Sequence, residues 1–335
     1  MKASEILKPL GVFVVVIMVV LAGTAAVSLV TGSESPAPPD GQSIDGQSPP
    51  QFQPAAVSVD VDPETGNITF DGSGESKRIL IDSQHGNRYD KADLEPVVEA
   101  LTEAGHTVRF RADSSSSSGF GSSGYNATLQ KFDAVMIIQP VDSFSEQQQA
   151  GLEAFAEGGG RILVLAEPTQ YAGGGALSNP SSISFGATEL TESFGVTVGS
   201  EMIYNVHDDA NDNNFESIYA KPRGSGMLTE GVETVTFDSA GYVVLKGDTD
   251  AAVRYTAVEG SKTIDSRRTG TFPTVARNGN MVFVSDSSFI EQSEIYDVDN
   301  EVFIGNLLEF LVSGDKPDDV PQISSDGENG TGFGG

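Results

Sequence analysis

The segment KRILIDSQHGNRYD, Lys77 to Asp90, compresses a strand, a polar loop and a helix start into one short run. Arg78 to Asp82 reads as a buried strand: branched apolar residues in succession, then a carboxylate. His85, Gly86, Asn87 and Arg88 follow at once. In an open α/β sheet, ligands sit outside the carboxyl ends of the strands, and the loop after the first strand borders the topological switch point. That loop is therefore the first place to look for a site.

Downstream the same rhythm repeats. Asp90 or Asp93 is placed to cap a helix, with Pro96 in its first turn, where a missing N–H costs nothing. Leu94, Val97, Val98 and Leu101 form its apolar stripe, and Gly105 ends it. HTVRF (106–110) is a second strand, and the Ser/Gly-rich run 113–124 a flexible loop. DAVMII (133–138) is a third strand. Ser145 and Gln148 have capping-box spacing ahead of a helix that closes at Gly158–Gly160. RILVLA (161–166) is a fourth strand, ending at Glu167. Strands alternating with helices imply a parallel sheet. After a helix over 187–194, short alternating segments across 197–277 read as a β-rich elaboration. NGNMVFVSD (278–286) then restores a buried strand ending in Asp286. Asn300 to Val312 closes the fold as a helix, and 313–335 reads as a disordered polar tail.

Upstream, residues 1–9 carry Lys2 and Lys8, and Leu10 to Val30 is an unbroken apolar and small-residue run. About 20 such residues suffice to cross a bilayer as a helix. A cleaved signal peptide ending near Gly23–Ala26 is the competitor, but the uninterrupted length favours a retained anchor. Lysines before the span and acidic residues after it place the amino terminus in the cytoplasm and the rest outside the cell. Residues 31–54 are a Gly/Ser/Pro/Gln linker expected to be disordered, and 55–75 an expected β-hairpin around Pro63–Asn67. The α/β domain proper spans 76–312.

Composition narrows the function classes. Acidic residues outnumber basic ones 48 to 19, for a formal net charge of -29. Such a field repels phosphates and disfavours a nucleic-acid partner. Acidity spread along the whole chain suits a protein hydrated in concentrated salt, where the Debye length falls to about 3 Å. A halophilic source follows as the leading explanation, an acidic exoprotein as the plainer one. The chain has no Cys, which excludes disulfides, thiolate nucleophiles and Cys-ligated metals.

Taken together, the Asp-terminated strand, the His85-Gly86-Asn87-Arg88 loop, the helix ending in Ala-Gly-His and the capped helix ending in Gly-Gly-Gly resemble the domain-of-unknown-function family 4350, suggesting a haloarchaeal member. MLTEGVETV (227–235) and the closing VFVSDSSFIE and DNEVFIGNLLEFL stretches are similar to the amidotransferase-like domains of gliding-motility ABC-transporter auxiliary and intraflagellar-transport proteins. The resemblance covers most of 78–312. It implies a flavodoxin-like three-layer sandwich related to class I glutamine amidotransferases but without their catalytic apparatus. Those enzymes carry a Cys on the turn after the third strand, where this chain has Gln139-Pro140-Val141, and a His near the closing strand, where this chain has none. An amidotransferase mechanism is excluded on that ground.

The four strand ends bring Asp82, His85, Asn87, Arg88, Gln139, Glu167 and Asp286 toward one crevice. Such groups could bind a small ligand or a hard cation through oxygen, supply a general base, or simply bond one another, with Arg88 forked onto a carboxylate. No catalytic residue, metal set or cofactor is assigned. Asp208 to Glu216 has the composition of a calcium loop but lacks its Gly and its twelfth-position Glu, so an acidic surface loop is the simpler expectation. Asn67, Asn126 and Asn329 head glycosylation sequons expected in turns, loops or the tail. His106 reads as a structural residue. The resulting expectation is a membrane-anchored, extracellular, non-enzymatic binding or scaffolding domain serving a membrane complex. A hydrolase or a ligand- or cation-binding subunit using the Asp82/His85 crevice is the alternative.

Overall fold

A computed structural model describes residues 65–110, 122–172 and 181–322, all within one compact unit, Pro63–Gly335. The expected anchor, linker and first hairpin arm lie outside the described residues. Among the described residues no helix is long and apolar enough to cross a membrane.

The chain runs β1 (Arg78–Ile81), α1 (Glu95–Glu103), β2 (Thr107–Phe110), α2 (Ser122–Leu129), β3 (Ala134–Ile138), α3 (Glu146–Glu157) and β4 (Arg161–Leu165). An antiparallel pair, β5 (Gln170–Ala172) and β6 (Ser181–Ile183), precedes α4 (Thr188–Ser193). Short strands follow: β7 (Val196–Val198), β8 (Ile203–Tyr204), β9 (Ser217–Pro222), β10 (Val235–Asp238), β11 (Val243–Leu245), β12 (Ala252–Ala257) and β13 (Lys262–Thr263). β14 (Pro273–Asn278), β15 (Met281–Val284) and α5 (Asn300–Val312) complete the described elements.

One nine-stranded sheet organises them, in the order β10-β9-β12-β14-β15-β4-β3-β1-β2. From β2 to β15 the pairings are all parallel. With β15 as the fifth strand, the order is the 2-1-3-4-5 of a flavodoxin-like sheet. The elaboration does not stand apart from this sheet. β14, β12, β9 and β10 continue it edgewise in antiparallel pairing.

Strand alternation divides the core into two layers. Ile79, Ile81, Met136, Leu163 and Val282 face α1 and α5, whereas Leu80, Val135, Ile162 and Phe283 face α2, α3 and α4. Both faces of the parallel strands are covered, so these strands read as continuous apolar runs. Phe303, Leu307, Phe310 and Leu311 bury one side of α5 completely, each contributing about 1.5–3 kcal/mol.

Local signals act largely as expected. Ser145 and Gln148 form a reciprocal capping box on α3, and Gly105 leaves α1 at φ +88. Neither Asp90 nor Asp93 caps α1. Its first residue is preceded by Leu94 without a side-chain cap, and Asp90 Oδ1 instead accepts from Ala92 N (2.9 Å) in the turn before it. Thr65–Phe70, the second arm of the expected hairpin, forms no strand; Ile68 and Phe70 pack against the core. The start of the expected tail is likewise part of the domain. Lys316 is buried, and its Nζ donates to the Gln130, Pro317 and Val320 carbonyls. The edge strand β10 is protected by side chains: Asn300 Oδ1 accepts Thr236 N, and Asp299 Oδ2 accepts Glu233 N and Thr234 N.

Gly305 shows why one helical position is glycine. In mid-helix Gly costs about 1 kcal/mol relative to Ala, yet a Cβ there would lie 2.2 Å from the Thr69 carbonyl oxygen. Gly305→Ala is therefore expected to cost about 1–3 kcal/mol through steric overpacking and to free Thr65–Phe70 for proteolysis. A variant melting at or above the parent temperature would show that the segment does not hold this position.

Candidate functional site

Asp82 follows β1 directly, its N–H donating to the Met136 carbonyl (2.9 Å). The side chain is fully buried. Its Oδ2 lies 2.7 Å from His85 Nδ1, while Oδ1 has no hydrogen-bond partner among the described residues, and neither has the neighbouring Ser83 Oγ. His85 is itself 4 % exposed. Its ring stacks on Phe144 (centroids 3.6 Å apart) and meets the edge of Tyr125 at 5.3 Å. This geometry presents the imidazole as a buried plate clamped between a carboxylate and two aromatic rings.

The backbone of the same loop is fastened to the turn after β3. Val141 N and Asp142 N both donate to the His85 carbonyl at 2.8 Å, and Arg88 N donates to the Gln139 carbonyl at 3.1 Å. Asn87 works both ways, accepting His85 N on Oδ1 (3.0 Å) and donating Nδ2 to the Ile138 carbonyl (2.9 Å). Gly86, at φ +62, gives the loop its reversal. Gln139 is a non-glycine residue at φ +37, a backbone strained by about 1–3 kcal/mol. From the other side Gly186 N donates to the Pro140 carbonyl (2.7 Å), and a Cβ on Gly186 would lie 2.4 Å from the Val141 carbonyl oxygen. The turn is thus gripped from two directions.

Glu167 and Asp286 form a second group, after β4 and β15. Glu167 Oε1 accepts both Ser287 N (2.7 Å) and Ser287 Oγ (2.6 Å). Asp286 accepts Ser288 Oγ at 3.0 Å on each oxygen and Phe289 N at 3.2 Å. Burial raises the Glu167 carboxyl to about 8 against the opposing Ser287 bonds, with Glu291 and Asp238 adding repulsion. Asp286 is pushed well above the usual carboxylate range, first by burial and then by the charge of Glu167. Like charges in a dry site do not ionise together, so the pair retains at least one proton at neutral pH.

The seven sequence-nominated residues are accordingly split. Asp82, His85, Asn87 and Gln139 interlock around β1 and β3, while Glu167 and Asp286 bond to the segment after β15. Arg88 joins neither group through its side chain: it is exposed and forms no ion pair among the described residues, contrary to the fork expected of it. Arg88, Leu94, Ile138, Ser287 and Glu291 border a small pocket of about 10 Å³ nearby, room for about one water, and Asp82, His85 and Gln139 are not among its lining residues. Phe144 and Tyr125, which complete the His85 clamp, carried no sequence signal beyond apolar spacing. Ser287-Ser288 did carry one, since hydroxyls just after a strand-end Asp readily bond carboxylates and caps.

Other expected features resolve structurally. Among the described residues no group of three His, Asp or Glu could hold a metal ion. In the acidic loop, Asn211 turns inward and donates to the Asn205 and His207 carbonyls, both at 2.9 Å. His106 Nδ1 accepts Lys77 N (3.1 Å), and burial and then Lys77 lower its pKa. Asn126 is not in a loop: it lies in α2, 6 % exposed, donating to the Gln147 carbonyl at 3.0 Å. Only Asn67 of the described sequons is exposed.

No family model matches the chain, and no curated protein does. Solved structures similar to it include the mmIFT52 N-terminal domain, at 13 % identity, TM-score 0.52, with 71 % of this chain and 98 % of that one covered. A ThuA-like protein of Parabacteroides merdae aligns at 13 % identity, TM-score 0.41, over 74 % and 94 % of the two chains. Alpha-L-fucosidase isoenzyme 2 of Paenibacillus thiaminolyticus aligns at 13 % identity, TM-score 0.35, over 74 % of this chain and 33 % of that one. The likeness to the mmIFT52 domain is one of fold, in keeping with the flavodoxin-like strand order.

The raised Glu167 pKa carries a sign. Between its ordinary value of 4.5 and about 8, the folded state holds a proton that the unfolded state has released, so stability falls as pH rises through that window. Glu167→Gln keeps a carbonyl for both Ser287 donors and carries no charge. Its unfolding free energy is expected to fall less steeply from pH 5 to 8 than the parent's, in denaturant titrations at fixed salt. An unchanged slope would show that Glu167 is not a buried acid.

Proposed function

We propose that this chain is a non-enzymatic binding or scaffolding module, and that the Asp82/His85 crevice is a structural clamp within it. The observation that carries this is the enclosure of His85, 4 % exposed between Asp82, Phe144 and Tyr125. A ring so enclosed presents little surface to a substrate, and Asn87 spends its amide on the His85 N–H and the Ile138 carbonyl. The resemblance to the domain-of-unknown-function family 4350 and to amidotransferase-like domains lacking their catalytic residues supports the same reading. The turn after β3, where class I amidotransferases place their nucleophile, holds Gln139, whose amide has no nucleophilic atom to offer. A retained Leu10–Val30 span would hold the domain on the outer face of a cell membrane, in a halophilic source suited to a charge of -29. The hydrolase alternative draws on the Asp82–His85 dyad, since a carboxylate on Nδ1 orients an imidazole as a base, but it requires the clamp to open.

His85→Ala separates the two. A clamp predicts a loss of about 1–3 kcal/mol, because Asp82 is left buried without its partner, and leaves any partner binding intact. Loss of hydrolysis or of ligand binding at parental stability would instead establish a reaction centre. The anchor is checked independently by mass spectrometry of the membrane-bound protein, where the Met1–Lys8 peptide is expected. A mature amino terminus near Ala26 would mean secretion.

A further inference from the structure

The sheet extension carries a feature that the crevice does not account for. A groove of about 840 Å³ opens beside β9 and β12, lined by Lys221 and Thr256 on the strands, by Arg223 just past β9, and by Glu259 to Ser261 on the turn beyond. Glu259 is the one acid among its lining residues. Arg254 adjoins it, since Arg223 N donates to the Arg254 carbonyl at 2.6 Å. Its Nε is buried and has no hydrogen-bond partner. None of Lys221, Arg223 and Arg254 forms an ion pair among the described residues. Like charges on adjacent strands repel. In a chain with 48 acidic and 19 basic residues, a basic cluster that forms no ion pair among the described residues is the reverse of what composition would produce.

The turn that lines the groove also holds a neighbouring loop with apolar surface. Asn205 Nδ2 donates to the Glu259 carbonyl (3.1 Å) and to Ser261 Oγ (3.2 Å), and Asn205 N donates to the Phe215 carbonyl (2.9 Å). These bonds pin the 205–215 loop to the turn, and on that loop Val206 is 60 % and Phe215 44 % exposed. A basic groove next to a loop with exposed aromatic and aliphatic side chains is the composition of a protein-binding surface. A small inorganic anion would have no use for the apolar loop, and a nucleic acid, charged at every phosphate, would meet more of the whole chain's repulsion than a short acidic segment.

We propose that this groove docks an acidic segment of a protein partner, its carboxylates meeting Lys221 and Arg223 and an apolar side chain resting on Val206 and Phe215 of the neighbouring loop. At molar salt only contact pairs survive screening, so the apolar loop is the part of the surface that holds when salt is high. The proposal builds on the binding-module reading but stands or falls separately, because the variants below lie at the end of β9 and on the 205–215 loop, away from the clamp.

The test uses the full chain and a short fluorescent peptide alternating Glu and Leu, with Ser–Leu and Lys–Leu peptides as controls, read by anisotropy over a salt series. Saturable binding of the Glu–Leu peptide alone is expected. Lys221→Glu with Arg223→Glu is expected to weaken it by about tenfold or more at low salt, with the melting curve unchanged. Val206→Ser with Phe215→Ser is expected to weaken it at every salt concentration. Equal affinity for the Glu–Leu and Ser–Leu peptides, or parental affinity in a folded charge-reversal variant, overturns the proposal. So does full displacement by inorganic phosphate or by a single-stranded oligonucleotide, which would reveal a general anion site. Should the charge-reversal variant fail to fold, Lys221→Gln with Arg223→Gln gives the same reading with a smaller loss.

Discussion

Three carboxylates deprived of water set the terms for the carboxyl end of this sheet. Asp82 and Asp286 are fully buried and Glu167 nearly so, and an ion in such a place costs several kcal/mol unless it is paired or protonated. Asp82 is answered by His85, which in turn must be held edge and face by Tyr125 and Phe144. Glu167 and Asp286 are answered by at least one retained proton and by donors from Ser287, Ser288 and Phe289. Each solution recruits a loop. One ties the segments after β1 and β3 to each other, and the other ties those after β4 and β15.

That interlocking bears on where function is to be sought. In doubly wound sheets the switch point is the usual place for a ligand, but a fold does not oblige its crevice to work. Here the parallel half of the sheet ends in interlocked loops, while the antiparallel half, built from the elaboration, borders a groove lined by Lys221 and Arg223. The two halves share one continuous set of strands, so the clamp can serve as the rigid support on which the extension is displayed. The overall charge of -29 then acts as a background against which a small basic surface is distinctive.

Much of the framework was legible in the chain itself. The runs RILI, AVMII and RILVL, the capping box at Ser145, the stop at Gly105 and the apolar face of Asn300–Val312 are local patterns. Their physical causes lie within a few residues: β-branching, cap geometry, and the periodicity of 3.6. The α2 helix was not legible, because Ser122–Leu129 is rich in Ser and Gly and is shaped instead by Tyr125 and Leu129 entering the core. Nor was the course of Thr65–Phe70, which depends on a glycine in α5 more than two hundred positions away.

The site divides along the same line. Which polar residues stand at strand ends was determined by the sequence, since a strand that ends in Asp or Glu places its carboxylate there whatever surrounds it. What each would do was decided by tertiary structure alone. Asp82 could turn to His85 three residues on, but Glu167 found its donors at Ser287, and Arg88 found no carboxylate among the described residues. Hydrogen bonding and desolvation act over a few ångströms between residues that the chain separates by a hundred or more. Whether a strand-end cluster opens to solvent or seals upon itself is therefore settled only when the sheet is assembled.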